Sequence, residues 1–288
     1  LGDVYKRQIY YICTDNYSAF QIFEKNKLKP RAYFIPFQDR KSSETVSLCD
    51  ERYKSNLVKV LNGKWDFKYY PKFSDMPKRF DTSIVDFDEV NVPSMWQYTG
   101  YEKPYYINQN YPFGRKPPKI PTDDPVGLYK TIRNGKWTPL TVDNIYNSVG
   151  VYRKKIEISD IEKIFIISFL GCSSCLELYV NGSFHGYSEG SHNTAEFNIT
   201  DKLGKGENEI VVVVHKWCNG TYLEAQDMFR SNGIFRDVLL FVHDKSYVYD
   251  YSVKTPYQNG RYSLEIKAKT VGDGKLYAEL VDNGKVLA

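Results

Sequence analysis

The sequence predicts an all-β protein, and three observations carry that reading. First, Asn-Gly pairs punctuate the chain at 62–63, 134–135, 181–182, 219–220, 232–233, 259–260 and 283–284. Asn-Gly tolerates positive φ at low cost, which tight hairpin turns require. Second, the segments between them alternate apolar and polar residues, as half-buried strands do: Trp65-Asp-Phe-Lys-Tyr69, Leu176-Glu-Leu-Tyr-Val180 and Tyr262-Ser-Leu-Glu-Ile-Lys-Ala268. Third, no long stretch carries a 3.6-residue apolar period, while aromatics reach 16% with 25 Tyr. Aromatic rings pack well on pleated surfaces. Many short strands with frequent turns indicate a sandwich or jelly roll.

Taken in order, Leu1-Gly-Asp-Val-Tyr-Lys-Arg-Gln8 reads as translated adaptor sequence rather than protein, and residues 9 to about 20 share that suspicion. Residues 1–45 are expected to be an N-terminal extension. Strands then run from Leu61 onward. Gln97 to Pro125 is crowded with Tyr, Pro and Asn. Proline removes backbone donors and fixes φ, so this stretch is expected to be a stiffened surface loop without ladder strands. Loops of such length in compact domains are commonly functional. The run Glu209-Ile-Val-Val-Val-Val-His-Lys-Trp217 is apolar almost throughout, which predicts a strand buried on both faces or set in a sandwich core. A polar loop follows, with Glu224, Gln226, Asp227, Arg230, Asn232, Arg236 and Asp237, and Val238-Leu-Leu-Phe-Val242 closes the set. Charged groups held between two core strands are either solvated or positioned for a ligand. A seam falls near His243-Asp-Lys-Ser246. The expected division is a sandwich over 46–243 and, over 244–288, the first part of a second one, too short for a whole immunoglobulin-like sandwich.

Bulk properties exclude several functions. The 288 residues carry 39 basic and 35 acidic side chains, a net charge of +4, with no long basic block, so neither nucleic acid nor an anionic membrane is expected as partner. No apolar run approaches the ~18 residues of a membrane span. The five cysteines, Cys13, Cys49, Cys172, Cys175 and Cys218, are odd in number and irregular in spacing, so no disulfide framework is expected. Cys172-Ser-Ser-Cys175 opens a strand-like stretch and lacks a second ligand pair, which argues against a zinc site. Reduced thiols suggest the cytoplasm. The four histidines, His185, His192, His215 and His243, have no metal-ligand spacing.

Most of the chain resembles a known family. Asn26-Lys-Leu-Lys-Pro-Arg-Ala-Tyr-Phe-Ile-Pro-Phe37, Leu61-Asn-Gly-Lys-Trp-Asp-Phe67, Val92-Pro-Ser-Met-Trp-Gln97 and Pro104-Tyr-Tyr-Ile-Asn-Gln-Asn-Tyr-Pro112 follow one another. After them come Val180-Asn-Gly with Gly186-Tyr187, and Gln226-Asp-Met leading to Gly233-Ile-Phe-Arg-Asp-Val238. In this order and spacing they resemble the N-terminal part of glycoside hydrolase family 2 β-galactosidases. The resemblance implies a jelly-roll, galactose-binding-like β-sandwich followed by a truncated immunoglobulin-like β-sandwich. The parent would be a retaining enzyme releasing terminal β-D-galactose, as from lactose, and a homo-oligomer. Its acid/base and nucleophile carboxylates belong to a later barrel, so this stretch alone is expected to be inactive. The resemblance also implies two substrate-binding residues here, Asn108 and Asp227, with Asp227 a sodium ligand as well. An amide offers donors and acceptors to sugar hydroxyls; a carboxylate accepts from them and binds a hard cation. Sodium and magnesium are the implied cofactors of the parent, and no magnesium site can be read in this chain. Glu224 and Asp227 are not expected to form a catalytic pair. A free-standing carbohydrate-binding module, and a sister β-glucuronidase or β-mannosidase, are the competing readings. One departure stands out: Lys130 to Ser148 separates Pro121-Thr-Asp-Asp-Pro-Val-Gly127 from Val149-Gly-Val-Tyr-Arg153, where the family runs directly on.

Overall fold

The computed structural model describes residues 9–12, 15–47, 49–107, 120, 129–133, 136–140, 147–224, 226–283 and 285–288, with backbone alone for 105, 107 and the 129–140 segment. Two antiparallel sheets face each other. The larger has seven strands, in the order Glu24–Lys25, Ser183–Glu189, Cys175–Val180, Gly206–His215, Val149–Ile158, Gly63–Tyr70 and Asp88–Val92. The smaller has four: Ala195–Asn198, Ile164–Phe169, Val238–His243 and Val58–Val60. This is the expected jelly-roll sandwich.

Alternation along the central strands fills the space between the sheets. Trp65, Phe67, Tyr152, Leu176, Leu178, Val212 and Val214 point inward from the large sheet and meet Phe165, Ile167, Phe169, Phe197 and Leu240. Each such side chain removed from water stabilises the fold by roughly 1.5–3 kcal/mol. Gly150 permits a close approach: a Cβ there would stand 2.7 Å from the Phe67 ring and 2.9 Å from Trp96.

The apolar run at 206–215 has a second explanation beyond the core. Its outward residues, Val211 and Val213, are buried with Val149, Val151 and Tyr179 beneath Tyr10, Ile12, Met76 and Phe80. The cover is a ribbon in which Ile9–Tyr11 pairs with Arg79–Asp81. The large sheet is therefore buried on both faces, and Val-rich continuity replaces alternation. This corrects the suspicion over residues 9 to 20. Tyr10 is fully buried, and its hydroxyl donates to Glu209 Oε1 at 2.7 Å. Tyr17 stacks on His215 with ring centroids 4.7 Å apart.

The same double cover changes the reading of Leu176-Glu-Leu-Tyr-Val180. Every residue of that strand is buried, Glu177 included. Glu177 accepts from the Tyr179 hydroxyl at 2.8 Å and lies 3.6 Å from His215 Nε2. Cys172, Cys175 and Cys218 are buried free thiols, with Cys175 opening the strand as expected; Cys13 lies outside the described residues.

Past His243 the strands belong to different sheets. Tyr247–Lys254 pairs with Glu265–Val271, and two short hairpins, 257–262 and 281–286, accompany them. They occupy the stretch expected to begin an immunoglobulin-like sandwich. Their apolar residues Val253, Leu264, Ile266 and Leu276 are exposed by 52%, 42%, 43% and 54%. Across the 130–148 departure, Tyr129–Arg133 pairs antiparallel with Lys136–Leu140.

Candidate functional site

One end of the sandwich gathers the loops that the sequence singles out. The 206–215 strand leaves the sheet there, the 149–158 strand enters it, and the segments 93–107 and 216–234 lie across them. Ser94 N–H donates to the Ile234 carbonyl at 2.8 Å and Trp96 N–H to that of Asn232 at 3.0 Å, so the two segments run side by side. Gly233 makes that approach possible. Its φ is +130°, and a Cβ would stand 2.7 Å from the Ser94 carbonyl oxygen.

Beneath the loops lies a buried ion pair, Lys216 Nζ to Glu102 Oε2 at 3.0 Å, the side chains only 3% and 5% exposed. The tyrosine hydroxyl of Tyr69 and the Ser148 hydroxyl both donate to Glu102 Oε1 at 2.5 Å. Gln97 Nε2 donates to Glu102 Oε2 at 3.0 Å and to Asn232 Oδ1 at 3.1 Å. Asn232 returns its backbone N–H to Gln97 Oε1 at 2.7 Å and its amide to the Lys216 carbonyl at 2.9 Å. A buried charge needs this completeness of partners. Burial by itself would raise the Glu102 pKa, but the Lys216 ammonium and the hydroxyl donors outweigh it and hold the carboxyl below its usual range. Burial lowers the Lys216 ammonium, and Glu102 only partly offsets that.

Above this base stands the ribbon that the proline-rich loop was not expected to contain. Tyr105–Ile107 pairs with Met228–Arg230, in the register Tyr105↔Arg230, Tyr106↔Phe229 and Ile107↔Met228. The correction has a simple cause: between Pro104 and Pro112 the backbone keeps its N–H groups, and three residues suffice for a ribbon. Asp227 is exposed beside it and accepts a short hydrogen bond from the Tyr106 hydroxyl. The Tyr106 and Phe229 rings meet edge to face at 5.8 Å and are 50% and 58% exposed. Asn108 lies outside the described residues, but it directly follows Ile107, and Asp227 directly precedes Met228. The ribbon thus brings the neighbours of both sequence-predicted site residues into register.

Glu224 has a different role from Asp227. Both its oxygens are used at 2.6 Å, one by the Ser191 N–H and one by the Ser191 hydroxyl. Arg230 fastens the turn by donating to the carbonyls of Glu224 and Gln226. Glu224 is an anchor of this loop. Glu189 nearby accepts from Tyr187 at 2.6 Å and from Gly220 N–H at 2.8 Å; burial raises its pKa to about 7.

Sequence reasoning missed Glu102 and Lys216. The signal was present in Lys216, a charged residue between His215 and Trp217 at the end of a run too apolar to leave its last member in water. Chemically, the exposed part of this end offers a carboxylate, a phenol and two aromatic faces, which suit hydroxyls and the apolar side of a sugar ring. Asp227 and the Tyr106 hydroxyl are also hard oxygen donors of the kind an alkali cation takes. Among the described residues there is no group of three or more His, Cys, Asp or Glu side chains that could hold a metal, and no helix long and apolar enough to cross a membrane.

A sugar-binding sandwich of a glycoside hydrolase is the class that this fold and this loop cluster define. The family comparison is specific: the profile of the sugar-binding domain of glycosyl hydrolases family 2 matches residues 58–138 and 135–244. The chain belongs to glycoside hydrolase family 2. The two matches overlap on the start of the Lys136–Leu140 strand, within the segment where the sequence departs from the family pattern. The chain is 35% identical to a β-galactosidase of Actinobacillus pleuropneumoniae over 85% of its own length and 22% of the relative's. It is 36% identical to one of Leuconostoc mesenteroides over 84% and 23%. It therefore spans between a fifth and a quarter of the length of these relatives. Among solved structures, a β-galactosidase from Bacteroides fragilis described as putative superposes with a TM-score of 0.51 at 20% identity, covering 74% of this chain and 28% of that one. β-Glucuronidase 2 of Bacteroides uniformis gives 0.51 at 18%, covering 75% and 22%. At these identities the likeness concerns the fold.

Proposed function

We propose that this chain is the substrate-positioning front part of a β-galactosidase that removes terminal β-D-galactose, as from lactose, with retention of configuration. The observation that carries the reading is the ribbon pairing Tyr105–Ile107 with Met228–Arg230, which sets the Asp227 carboxylate beside exposed aromatic rings and next to the segment that leads into Asn108. Relatives named β-galactosidase at 35–36% identity support the galactoside over other glycosides. In this reading Asp227 accepts from galactose hydroxyls and contributes an oxygen to a bound sodium ion. Asn108 holds a further hydroxyl with its amide. The acid/base and nucleophilic carboxylates, which retaining glycosidases place ~5 Å apart, come from the part of the parent outside this chain. Magnesium is a further proposed requirement of the parent, which is proposed to act as a homo-oligomer in the cytoplasm.

The test is kinetic, in the parent enzyme. A hydrogen bond to a charged group is worth about 1.5–3 kcal/mol, so Asp227→Ala is expected to lower galactoside turnover roughly ten- to a hundredfold and to flatten its sodium dependence. Asn108→Ala removes a neutral partner worth about 1 kcal/mol and is expected mainly to raise KM. Wild-type turnover and sodium response in Asp227→Ala would refute the assignment of that residue. Sugar binding by a gene product without a barrel would favour the free-standing binding module instead.

A further inference from the structure

The opposite end of the sandwich has a recess of its own. In the pairing of Cys175–Val180 with Ser183–Glu189, Leu178 faces Gly186 and Tyr179 faces Phe184, so His185 is the extra residue of a β-bulge. Bulges re-aim a side chain out of the strand's alternation. The carbonyl that the bulge frees is taken by Asn26, whose side-chain amide donates to it at 2.6 Å. The His185 ring borders a cavity of about 630 Å³, also lined by Asn26, Lys27, Phe184, Asn198 and Asp201. That size lies within the ~300–1,000 Å³ typical of small-molecule sites.

His185 is 7% exposed, and its Nε2 has no hydrogen-bond partner among the described residues. The backbone of Asn198 lies against the ring. Burial, reinforced by the Lys202 charge and opposed by Asp201, lowers the proton affinity of the ring and keeps it neutral. Nε2 is thus a buried polar atom left unpaired, which is costly.

The charges around the recess are already balanced. Lys27 lies 2.7 Å from Glu24 and Lys202 lies 3.6 Å from Asp201. A deprotonated anion would gain little from those ammoniums. A neutral polyhydroxylated ligand can satisfy Nε2 with a hydroxyl as donor or acceptor, meets the amides of Asn26 and Asn198 with either end of its hydroxyls, and can rest an apolar ring face on Phe184. We propose that this recess is a second saccharide-binding site, remote from the Asp227 loop, in which a sugar hydroxyl hydrogen-bonds His185 Nε2. The proposal does not depend on the assignment of Asp227.

The experiment follows the His185 ring nitrogens by 1H–15N NMR in the 288-residue chain, titrated with lactose and with methyl β-D-glucopyranoside. With four histidines, single His→Gln variants assign the signals. A saturable shift of Nε2 is expected in the millimolar range. Asp227→Ala should leave it unchanged. Asp201→Trp, which adds bulk at a rim position whose side chain is 72% exposed, should weaken it by about tenfold or more while the circular dichroism spectrum is kept. No shift up to ~100 mM of either sugar would overturn the proposal. So would an equal response to inorganic sulfate, which would make the recess an anion site, or abolition of the shift by Asp227→Ala. If Asp227→Ala changes parent kinetics while the His185 titration is flat, the second site fails and the first stands.

Discussion

Glu102 and Glu189 are both buried carboxylates at one end of the same sandwich, and their surroundings drive them in opposite directions. Glu102 faces Lys216 and is held below the usual range. Its contribution to stability is present above the ordinary carboxylate pKa and is lost as pH falls through the lowered folded value. Glu189 has no cation among its hydrogen-bond partners and rises to about 7, so the folded state keeps a proton that the unfolded chain releases near the ordinary carboxylate value of 4.5. Its contribution is present below that value and declines as pH rises toward about 7. Urea midpoints measured from pH 4 to pH 8 are expected to lose the downward component in Glu189→Gln and to keep it in Asp227→Ala. Glu102→Gln leaves Lys216 buried and uncompensated, and is expected to cost about 3–5 kcal/mol in urea denaturation. The double variant Glu102→Gln with Lys216→Met should recover part of that loss. A double variant as unstable as the single one would show that the network matters through Tyr69 and Ser148 rather than through charge.

At the level of strands and turns, the large sheet was legible because its residues carry two separate signals. The period-two pattern of Trp65 and Phe67 gave one face, and the unbroken apolar run of 210–214 announced a strand with no wet face. What covers the outer face was not legible. Tyr10, Ile12 and Phe80 come from short segments too brief to show any period, and their partnership is set by tertiary packing. The ribbon within the proline-rich loop was hidden for a related reason: prolines flank it but leave its own donors free. Of the site, the Asp227 loop was visible in its wording, whereas the Glu102–Lys216 base needed the fold to bring positions more than a hundred apart together. Gly233 is the turn on which this depends. Gly233→Ala would push a methyl into the Ser94 carbonyl and the Tyr152 hydroxyl while holding φ at +130°. A loss of roughly 2–4 kcal/mol is expected, read as a lowered melting temperature. Asn259→Gly, in a hairpin with φ of +52°, should be close to neutral.

For the whole molecule, the two sets of strands differ in how well they cover themselves. The sandwich through His243 buries large aromatics on both sides of its main sheet, whereas the strands from Tyr247 onward present Val253, Leu264, Ile266 and Leu276 to water. Exposed apolar strands invite edge pairing with other chains. Size-exclusion chromatography of the full chain beside a version ending at His243 is expected to show more association in the longer form. A monodisperse long form with an aggregated short one would mean that the contacts of Tyr249 with Lys29 and of Asp250 with Ala32 are needed to hold the sandwich together. The chain alone is expected not to release nitrophenol from a chromogenic β-galactoside above buffer, since the paired carboxylates of the proposed reaction lie elsewhere in the parent.

The three-residue ribbon at Tyr105–Ile107 joins segments whose side-chain contact, Tyr106 with Asp227, spans 121 positions of sequence. Closing so long an excursion is entropically late, and the small local gain of three pairs cannot drive it early. The mouth of the sandwich is therefore assembled after its interior, and on partial opening it is released before it. Amide protons of Tyr106 and Phe229 should exchange with solvent orders of magnitude faster than those of Val212 or Leu240, with an opening free energy of their own. A ligand that grips Asp227 would slow only the former. Proton exchange at two amides would then report occupancy of the sugar site without any measurement of turnover.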